Sequence, residues 1–121
     1  MTTAAASSSR TLAHPEPGEI RLEAVLHALA DPMRMRIVRD LAREEGAELA
    51  CSHFGLPVTK STSTHHFRVL RESGVIRQIY RGTAKLSVLR RDDLDALFPG
   101  LLDSVLAAAA RQADRLGTDD A

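Results

Sequence analysis

The sequence predicts a mainly α-helical fold that carries one β-hairpin. Apolar residues recur at helical spacing in Leu22, Val25, Leu26 and Leu29, and again over residues 94–109. Residues 75–89 instead form a run rich in Val, Ile, Tyr, Thr and Leu, with a glycine near its middle. Aromatic residues make up only 3% of the 121 residues. The core must therefore be aliphatic, which also favours helices.

Asp31-Pro32 separates the first helix from a second one. Aspartate is a good N-cap, and proline suits a first turn because its missing N–H is not needed there. The second helix continues through Met33, Ile37 and Leu41. A third, short helix is predicted around residues 47–54, before Gly55.

A further helix is predicted from Thr59 or Ser61 to about Ser73, closed by Gly74 in the left-handed conformation. The hairpin then spans residues 76–89 and turns at Gly82. Asp92 or Asp93 caps a C-terminal helical region, which Pro99 breaks into two pieces. Helices followed by a hairpin in this order form a winged helix-turn-helix.

The domain organisation follows from composition. Residues 1–18 are rich in Ala, Ser, Thr, Pro and Gly, and are expected to be a disordered tail. Residues 19–116 form the single folded domain, and residues 117–121 are expected to fray. A single cysteine, no secretory signal and no apolar run of membrane-spanning length indicate a cytoplasmic protein without membrane contact.

The charge is balanced in total but divided along the chain. There are 16 basic and 16 acidic residues, yet residues 59–91 hold 8 basic residues and 1 acidic residue. Residues 1–58 hold 6 and 8, and residues 92–121 hold 2 and 7. The cationic middle third is the part suited to phosphate. The scarcity of aromatic residues argues against single-strand binding by base stacking.

The helix from residue 60 has one polar and basic face, which fits the major groove of double-stranded DNA. An ordinary solvated helix face would look similar, but the adjacent hairpin is also basic. The predicted DNA-binding residues lie on these two elements: Lys60, Ser61, Thr62, Thr64, His65 and Arg68 on the helix, and Arg77, Arg81 and Lys85 on the wing. A protein-interaction module without DNA binding is the alternative. No nucleophile motif, phosphate loop or carboxylate pair indicates an enzyme.

Two segments resemble the signatures of the arsenic-repressor (ArsR) family of transcription regulators. They are ALADPMRMRI at residues 28–37 and STSTHHFRVLRESGVI at residues 61–76. The resemblance covers about residues 19–106. It implies a homodimer joined by the first and last helices, which binds an imperfect inverted repeat. Repression by covering a promoter is the common outcome in the family, and the sequence leaves both repression and activation open. The resemblance also implies control by an inducer, often a metal.

The predicted dimer interface lies on the first and last helices. The C-terminal helix is more apolar than one small domain needs, although packing within one protomer is the alternative explanation. The residues assigned to this interface are Leu22, Val25, Leu26, Leu101, Leu102, Val105 and Leu106.

The usual metal ligands of the family are missing. Ala50 and Ser52 stand where the thiolate-type site has its two cysteines, and no histidine follows His66. Cys51 and His53 remain candidate ligands, but tetrahedral zinc needs four. DNA binding is therefore expected to need no cofactor, with a transition-metal effector at a non-standard site as the alternative. The sequence leaves the effector unknown.

Overall fold

The computed structural model describes residues 12–44 and 46–117. Within them, five α-helices combine with one antiparallel sheet, so the predicted helical fold with a hairpin wing is confirmed. The elements in chain order are α1 (Leu22–Leu29), α2 (Pro32–Arg43), β1 (Leu49–Ala50), α3 (Lys60–Ser73), β2 (Ile76–Arg81), β3 (Ala84–Leu89), α4 (Arg91–Leu97) and α5 (Leu101–Leu116). Short 3-10 helices occupy Pro17–Glu19 and Cys51–Phe54.

The boundary between α1 and α2 is set by Asp31, as predicted. Its carboxylate accepts hydrogen bonds from the backbone N–H groups of Met33 (2.9 Å) and Arg34 (3.0 Å). Burial alone would raise the pKa of this carboxyl, but the Arg34 N–H and the charges of His66 and Arg34 outweigh burial and lower it. Pro32 occupies the first turn, where no N–H is required.

Of the two caps predicted for the start of α3, Thr59 and Ser61, the structure uses Thr59, and Gly74 closes the helix as predicted. The Thr59 hydroxyl accepts the N–H of Thr62 at 3.2 Å and donates to the Thr62 hydroxyl at 2.9 Å. At the other end, Gly74 adopts φ of 90°, and the N–H of Val75 bonds to the Leu70 carbonyl at 3.0 Å. The chain thereby reverses directly from α3 into the wing.

The prediction of a short helix over residues 47–54 is wrong for its first half. Leu49 and Ala50 form strand β1, which pairs with Ser87 and Leu86 of β3. Only Cys51–Phe54 is helical, as a 3-10 turn. Two residues are too few for any periodicity to indicate a strand, and the pairing partner lies far along the chain. The sheet therefore has three strands in the order β1-β3-β2.

The hairpin follows the prediction. Strands β2 and β3 pair in register from Ile76 opposite Leu89 to Arg81 opposite Ala84. Gly82 takes the positive φ (65°) that the tight connection requires. The central strand is β3, so β2 forms one edge of the sheet.

Part of the segment that was predicted to be a disordered tail contacts the folded domain. The His14 side chain accepts the N–H of Gln78 on the outer edge of β2 (2.9 Å), and the Pro15 carbonyl accepts from Arg90 (2.9 Å). The prediction of disorder therefore fails at residues 14–18, because an open strand edge supplies a donor that composition does not reveal. Residues 1–11 and 118–121 lie outside the described residues.

The core is formed by α1, α2, the 3-10 turn Cys51–Phe54, α3, the start of the wing and the C-terminal helices. It is mainly aliphatic, as predicted, but it also contains Phe54 and Phe67. Val25 and Leu102 are 1% and 2% exposed within it. Their assignment to a dimer interface is therefore wrong, because neither side chain has surface left for a partner. Pro99 separates α4 from α5, as predicted. The predicted cap at Asp92 or Asp93 is wrong, because α4 already begins at Arg91 and both aspartates lie inside its first turn. Among the described residues, no helix combines the length and apolarity needed to cross a membrane.

Candidate nucleic-acid interface

One face of α3 points its polar side chains into solvent. Six of the predicted DNA-binding residues are exposed on this helix: Lys60, Ser61, Thr62, Thr64, His65 and Arg68. Within residues 12–44 and 46–117, neither the Lys60 nor the Arg68 side chain makes a hydrogen bond or an ion pair. The Thr62 hydroxyl is already engaged with Thr59. The helix therefore offers two available cations and several hydroxyls on one rod.

The opposite face of α3 anchors the helix in the core. Phe67 and Leu70 are buried, and His66 is buried beside them. The Arg34 guanidinium lies 3.2 Å from His66 Nδ1 and donates through Nε to the Ala28 carbonyl at 2.7 Å. These polar contacts join α1, α2 and α3. They therefore fix the orientation of the exposed face of α3 relative to α1 and α2. His66 is thus a packed, hydrogen-bonded histidine, as the sequence indicated.

A buried polar chain fixes the wing against α3. Arg71 donates to the side-chain oxygen of Gln78 at 2.7 Å, and the Gln78 amide donates to the Ser87 hydroxyl at 3.2 Å. Gln78 and Ser87 are 2% and 0% exposed. These bonds connect the C-terminal turn of α3 to both long strands. The helix and the wing can therefore approach a ligand as one surface.

The three predicted wing cations are all engaged with other groups. Arg77 lies 4.0 Å from the Asp93 carboxylate, at the limit of an ion pair. The Lys85 ammonium lies 5.8 Å from the Tyr80 ring centroid, within cation–π range. Arg81 donates to both carboxylate oxygens of Glu48, at 3.1 and 3.0 Å. The wing differs in this respect from α3.

Glu48 was not identified from the sequence as part of this surface. It precedes β1, and its carboxylate raises the pKa of Arg81 by accepting two hydrogen bonds and by its charge. The sequence prediction treated residues 59–91 as a block with almost no acidic residues. This is true of the sequence, but in the folded structure Glu48 lies against Arg81 of this block. Only the pairing of β1 with β3 brings this acid to the wing.

His14 was also missed. It lies beside the wing as the acceptor for Gln78, and burial is the main reason why its pKa is lowered. The nearby charges of Arg77, Arg71 and Arg90 lower the pKa further, while a hydrogen bond with the Leu12 backbone opposes them. His14 thus connects the segment before α1 to the outer edge of β2, and Pro15 connects it to Arg90, which follows β3.

Within the part of the chain that the structure describes, Cys51 and His53 do not belong to a group of side chains that could hold a metal ion. Cys51 is partly buried, which raises the pKa of its thiol, and His53 is exposed with its ring against Phe54. The described residues contain no group of three or more His, Cys, Asp or Glu side chains that could hold a metal ion. Cys51 packs against the hydrophobic core as a small apolar side chain.

The remaining interface candidates divide into two groups. Leu22 and Leu26 of α1 are 43% and 44% exposed. Leu101, Val105 and Leu106 of α5 are partly buried against the core. Helix α5 also forms one wall of an apolar groove of about 760 Å³, and α2 forms the other wall.

The family model for a helix-turn-helix domain matches residues 29–79, from the end of α1 into β2. The uncharacterized HTH-type transcriptional regulator YceK of Bacillus subtilis (strain 168) is 32% identical over 83 residues, 67% of this chain and 82% of the relative. Two solved structures are similar in fold. An ArsR family transcriptional regulator has a TM-score of 0.55 at 22% identity, covering 81% of this chain and 98% of the other. An ArsR-like regulator from Rhodococcus sp. RHA1 has a TM-score of 0.53 at 21% identity, covering 79% and 86%.

The three-stranded sheet, the exposed helix α3 and its attached wing define a winged helix-turn-helix protein. The chain belongs to the helix-turn-helix transcriptional regulators, which are DNA-binding proteins, and it has the fold of the ArsR family. The resemblance found in the two sequence signatures is thereby confirmed.

Proposed function

We propose that the protein binds double-stranded DNA sequence-specifically, as a homodimer on an inverted-repeat operator, and represses transcription by covering a promoter. Helix α3 enters the major groove, and the wing contacts the adjacent groove or backbone. The observation that carries this proposal is the exposed polar face of α3, on which Lys60 and Arg68 lie beside hydroxyl groups. No cofactor is required for this binding.

Some side chains on the α3 face are suited to phosphate contacts that position the helix, and others are suited to base contacts that recognise the sequence. Arg68 can donate two hydrogen bonds to a guanine edge, and Thr64 and His65 can reach neighbouring base edges. Lys60 and Ser61 lie in the first turn, where free backbone N–H groups and the helix dipole favour phosphate. The same rod therefore supplies both orientation and sequence discrimination.

Homodimerisation is supported by apolar surface that one protomer leaves open. Leu22 and Leu26 lie four residues apart on α1 and expose over two fifths of their surface. The groove between α2 and α5 is lined by apolar side chains such as Met33, Val105 and Leu116. A second copy related by two-fold symmetry would cover both features, and two copies of α3 would then meet the two halves of an inverted repeat.

The test is the salt dependence of binding to a double-stranded DNA duplex, measured by fluorescence anisotropy. The wild-type protein should bind with an affinity that falls steeply as salt rises, because phosphate contacts release counterions. The variant Lys60→Ala/Arg68→Ala should bind more weakly and with a slope shallower by about one for each phosphate contact that is lost. Arg111→Ala/Arg115→Ala is the matched control, because it also removes two exposed cations, but from α5.

The same measurement separates this function from a protein-interaction module. Such a module would tolerate loss of the two cations, and its DNA affinity would depend only slightly on salt. Equal binding by the wild type and the double variant would contradict the assignment of α3 as the recognition helix.

A further inference from the structure

We propose that Glu48 competes with DNA phosphate for Arg81 and thereby limits the contribution of the wing tip to DNA affinity. This inference rests on the proposed function, since it concerns the same surface. It assigns a role to a residue that lies outside both the recognition helix and the wing.

The contact occupies the donors that a phosphate would use. Arg81 Nε lies 3.1 Å from Glu48 Oε1, and Nη2 lies 3.0 Å from Oε2. This two-bond geometry is the one in which a guanidinium binds either a carboxylate or a phosphate. Glu48 therefore both neutralises the Arg81 charge and fills one edge of its guanidinium.

The sheet holds the two partners near each other. Glu48 immediately precedes β1, Arg81 ends β2, and β3 lies between these strands. Leu49 is fixed opposite Ser87, and Arg81 opposite Ala84. The ion pair thus spans the central strand between two anchored backbones. Because both backbones are already ordered, forming this ion pair costs less conformational entropy than forming one between two mobile loops.

The contact is nevertheless easily exchanged. The Arg81 and Glu48 side chains remain 63% and 34% exposed, so water and salt screen their attraction. Exposed ion pairs of this kind shift an equilibrium by about fivefold at most. A DNA phosphate can therefore replace Glu48, but the gain from the new contact is reduced by the loss of the old one.

The wing tip differs in this way from α3. Lys60 and Arg68 have no ionic partner among the described residues and meet phosphate or base edges without giving up a contact. Arg81 must exchange one anion for another. Glu48 consequently weakens DNA binding through Arg81, and removal of its charge should strengthen that binding.

The experiment is a double-mutant cycle on duplex affinity at low salt, measured by fluorescence anisotropy with the full-length chain. Glu48→Gln should bind about two- to fivefold more tightly than the wild type, and the gain should shrink as salt rises. Arg81→Ala should cost more affinity in the Glu48→Gln background than in the wild type. Glu44→Gln, which removes one exposed acidic charge at the end of α2, controls for the change in net charge.

Three results would overturn the inference. Glu48→Gln could bind more weakly, which would make Glu48 a support that orients Arg81 for DNA. It could bind more tightly by the same factor when Arg81 is alanine, which would indicate simple repulsion between Glu48 and phosphate. The affinity of Glu48→Gln for the duplex could equal that of Glu44→Gln, which would indicate an effect of net charge alone. If the wild type itself binds no duplex, the proposed function fails as well, and this outcome is distinct from the other three.

Discussion

At the scale of single residues, Gly74 has the strictest steric requirement. It closes α3 with φ of 90°, and a Cβ atom there would lie 2.6 Å from Cγ1 of Ile20. Gly74→Ala therefore combines left-handed backbone strain with overpacking of a buried side chain. We expect a loss of about 2 to 4 kcal/mol in the free energy of unfolding, measured by urea denaturation.

The matched control is Gly82→Ala. Gly82 also has positive φ (65°), but a Cβ there would meet no atom within 4 Å. Gly82→Ala should lower the free energy of unfolding only by the backbone strain, about 1 to 2 kcal/mol. Equal losses in the two variants would show that the contact with Ile20 adds nothing.

Predictability from sequence at this scale depends on how local the interaction is. The caps at Asp31, Thr59 and Gly74 depend on residues within four positions. The sequence identified Asp31 and Gly74, and it narrowed the cap of α3 to Thr59 or Ser61. The pairing of Arg81 with Glu48 joins residues 33 positions apart and was missed. Nothing in the local pattern around Glu48 separates it from an ordinary surface acid.

At the scale of elements, residues 14–20 attach the chain before α1 to β2 through His14, and we call this segment the clasp. His14 can accept the Gln78 N–H only while its Nε2 is unprotonated. The cations Arg71, Arg77 and Arg90 also disfavour a charged imidazole there. Asp93, which pairs with Arg90, is the nearby acid in this group.

The lowered pKa of His14 makes the clasp sensitive to acid. The unfolded chain takes up a proton near the usual histidine pKa of about 6.5, whereas the folded chain resists it. The folded state binds fewer protons, so stability rises with pH. The contribution of the clasp is complete above about pH 6.5 and is lost as pH falls through the lowered folded pKa.

The measurement compares urea denaturation of the wild type and His14→Ala at about pH 8 and about pH 5.5, on either side of the histidine pKa. The wild type should be more stable than the variant at the higher pH, and the difference should narrow at the lower pH. Other titrating groups are common to both proteins and cancel in the comparison. A constant difference at both pH values would contradict the clasp.

The sequence predicted long elements better than short ones. Helix α3 and the hairpin span enough residues for periodicity and turn chemistry to define them. Strand β1 has two residues, and the clasp before α1 has no regular pattern. Both are specified by partners on the sheet, Ser87 for β1 and Gln78 for the clasp, rather than by their own sequence.

At the scale of the whole molecule, the proposed dimer depends on apolar surface that the protomer leaves uncovered. Leu26→Glu places a charge on the exposed side of α1, where it costs the protomer little but would be buried in the dimer. We expect this variant to sediment as a folded monomer under conditions in which the wild type is a dimer. A dimeric variant would contradict the placement of α1 in the interface.

Leu102→Glu provides the contrast for this interface. Leu102 is 2% exposed inside the protomer, so its substitution should unfold the chain rather than separate two folded copies. Circular dichroism distinguishes the two outcomes. The sequence alone could not sort these leucines, because α1 and α5 carry apolar residues on both the core side and the exposed side.

The most direct test of the central claim is a mobility shift on DNA from upstream of the gene that encodes this protein. The assay includes excess nonspecific competitor DNA and is run with EDTA and with added divalent metals. Specific recognition through α3 predicts a shift that resists the competitor and persists in EDTA. Specific recognition through α3 is contradicted if folded, dimeric protein gives no competitor-resistant shift on any upstream fragment under either condition.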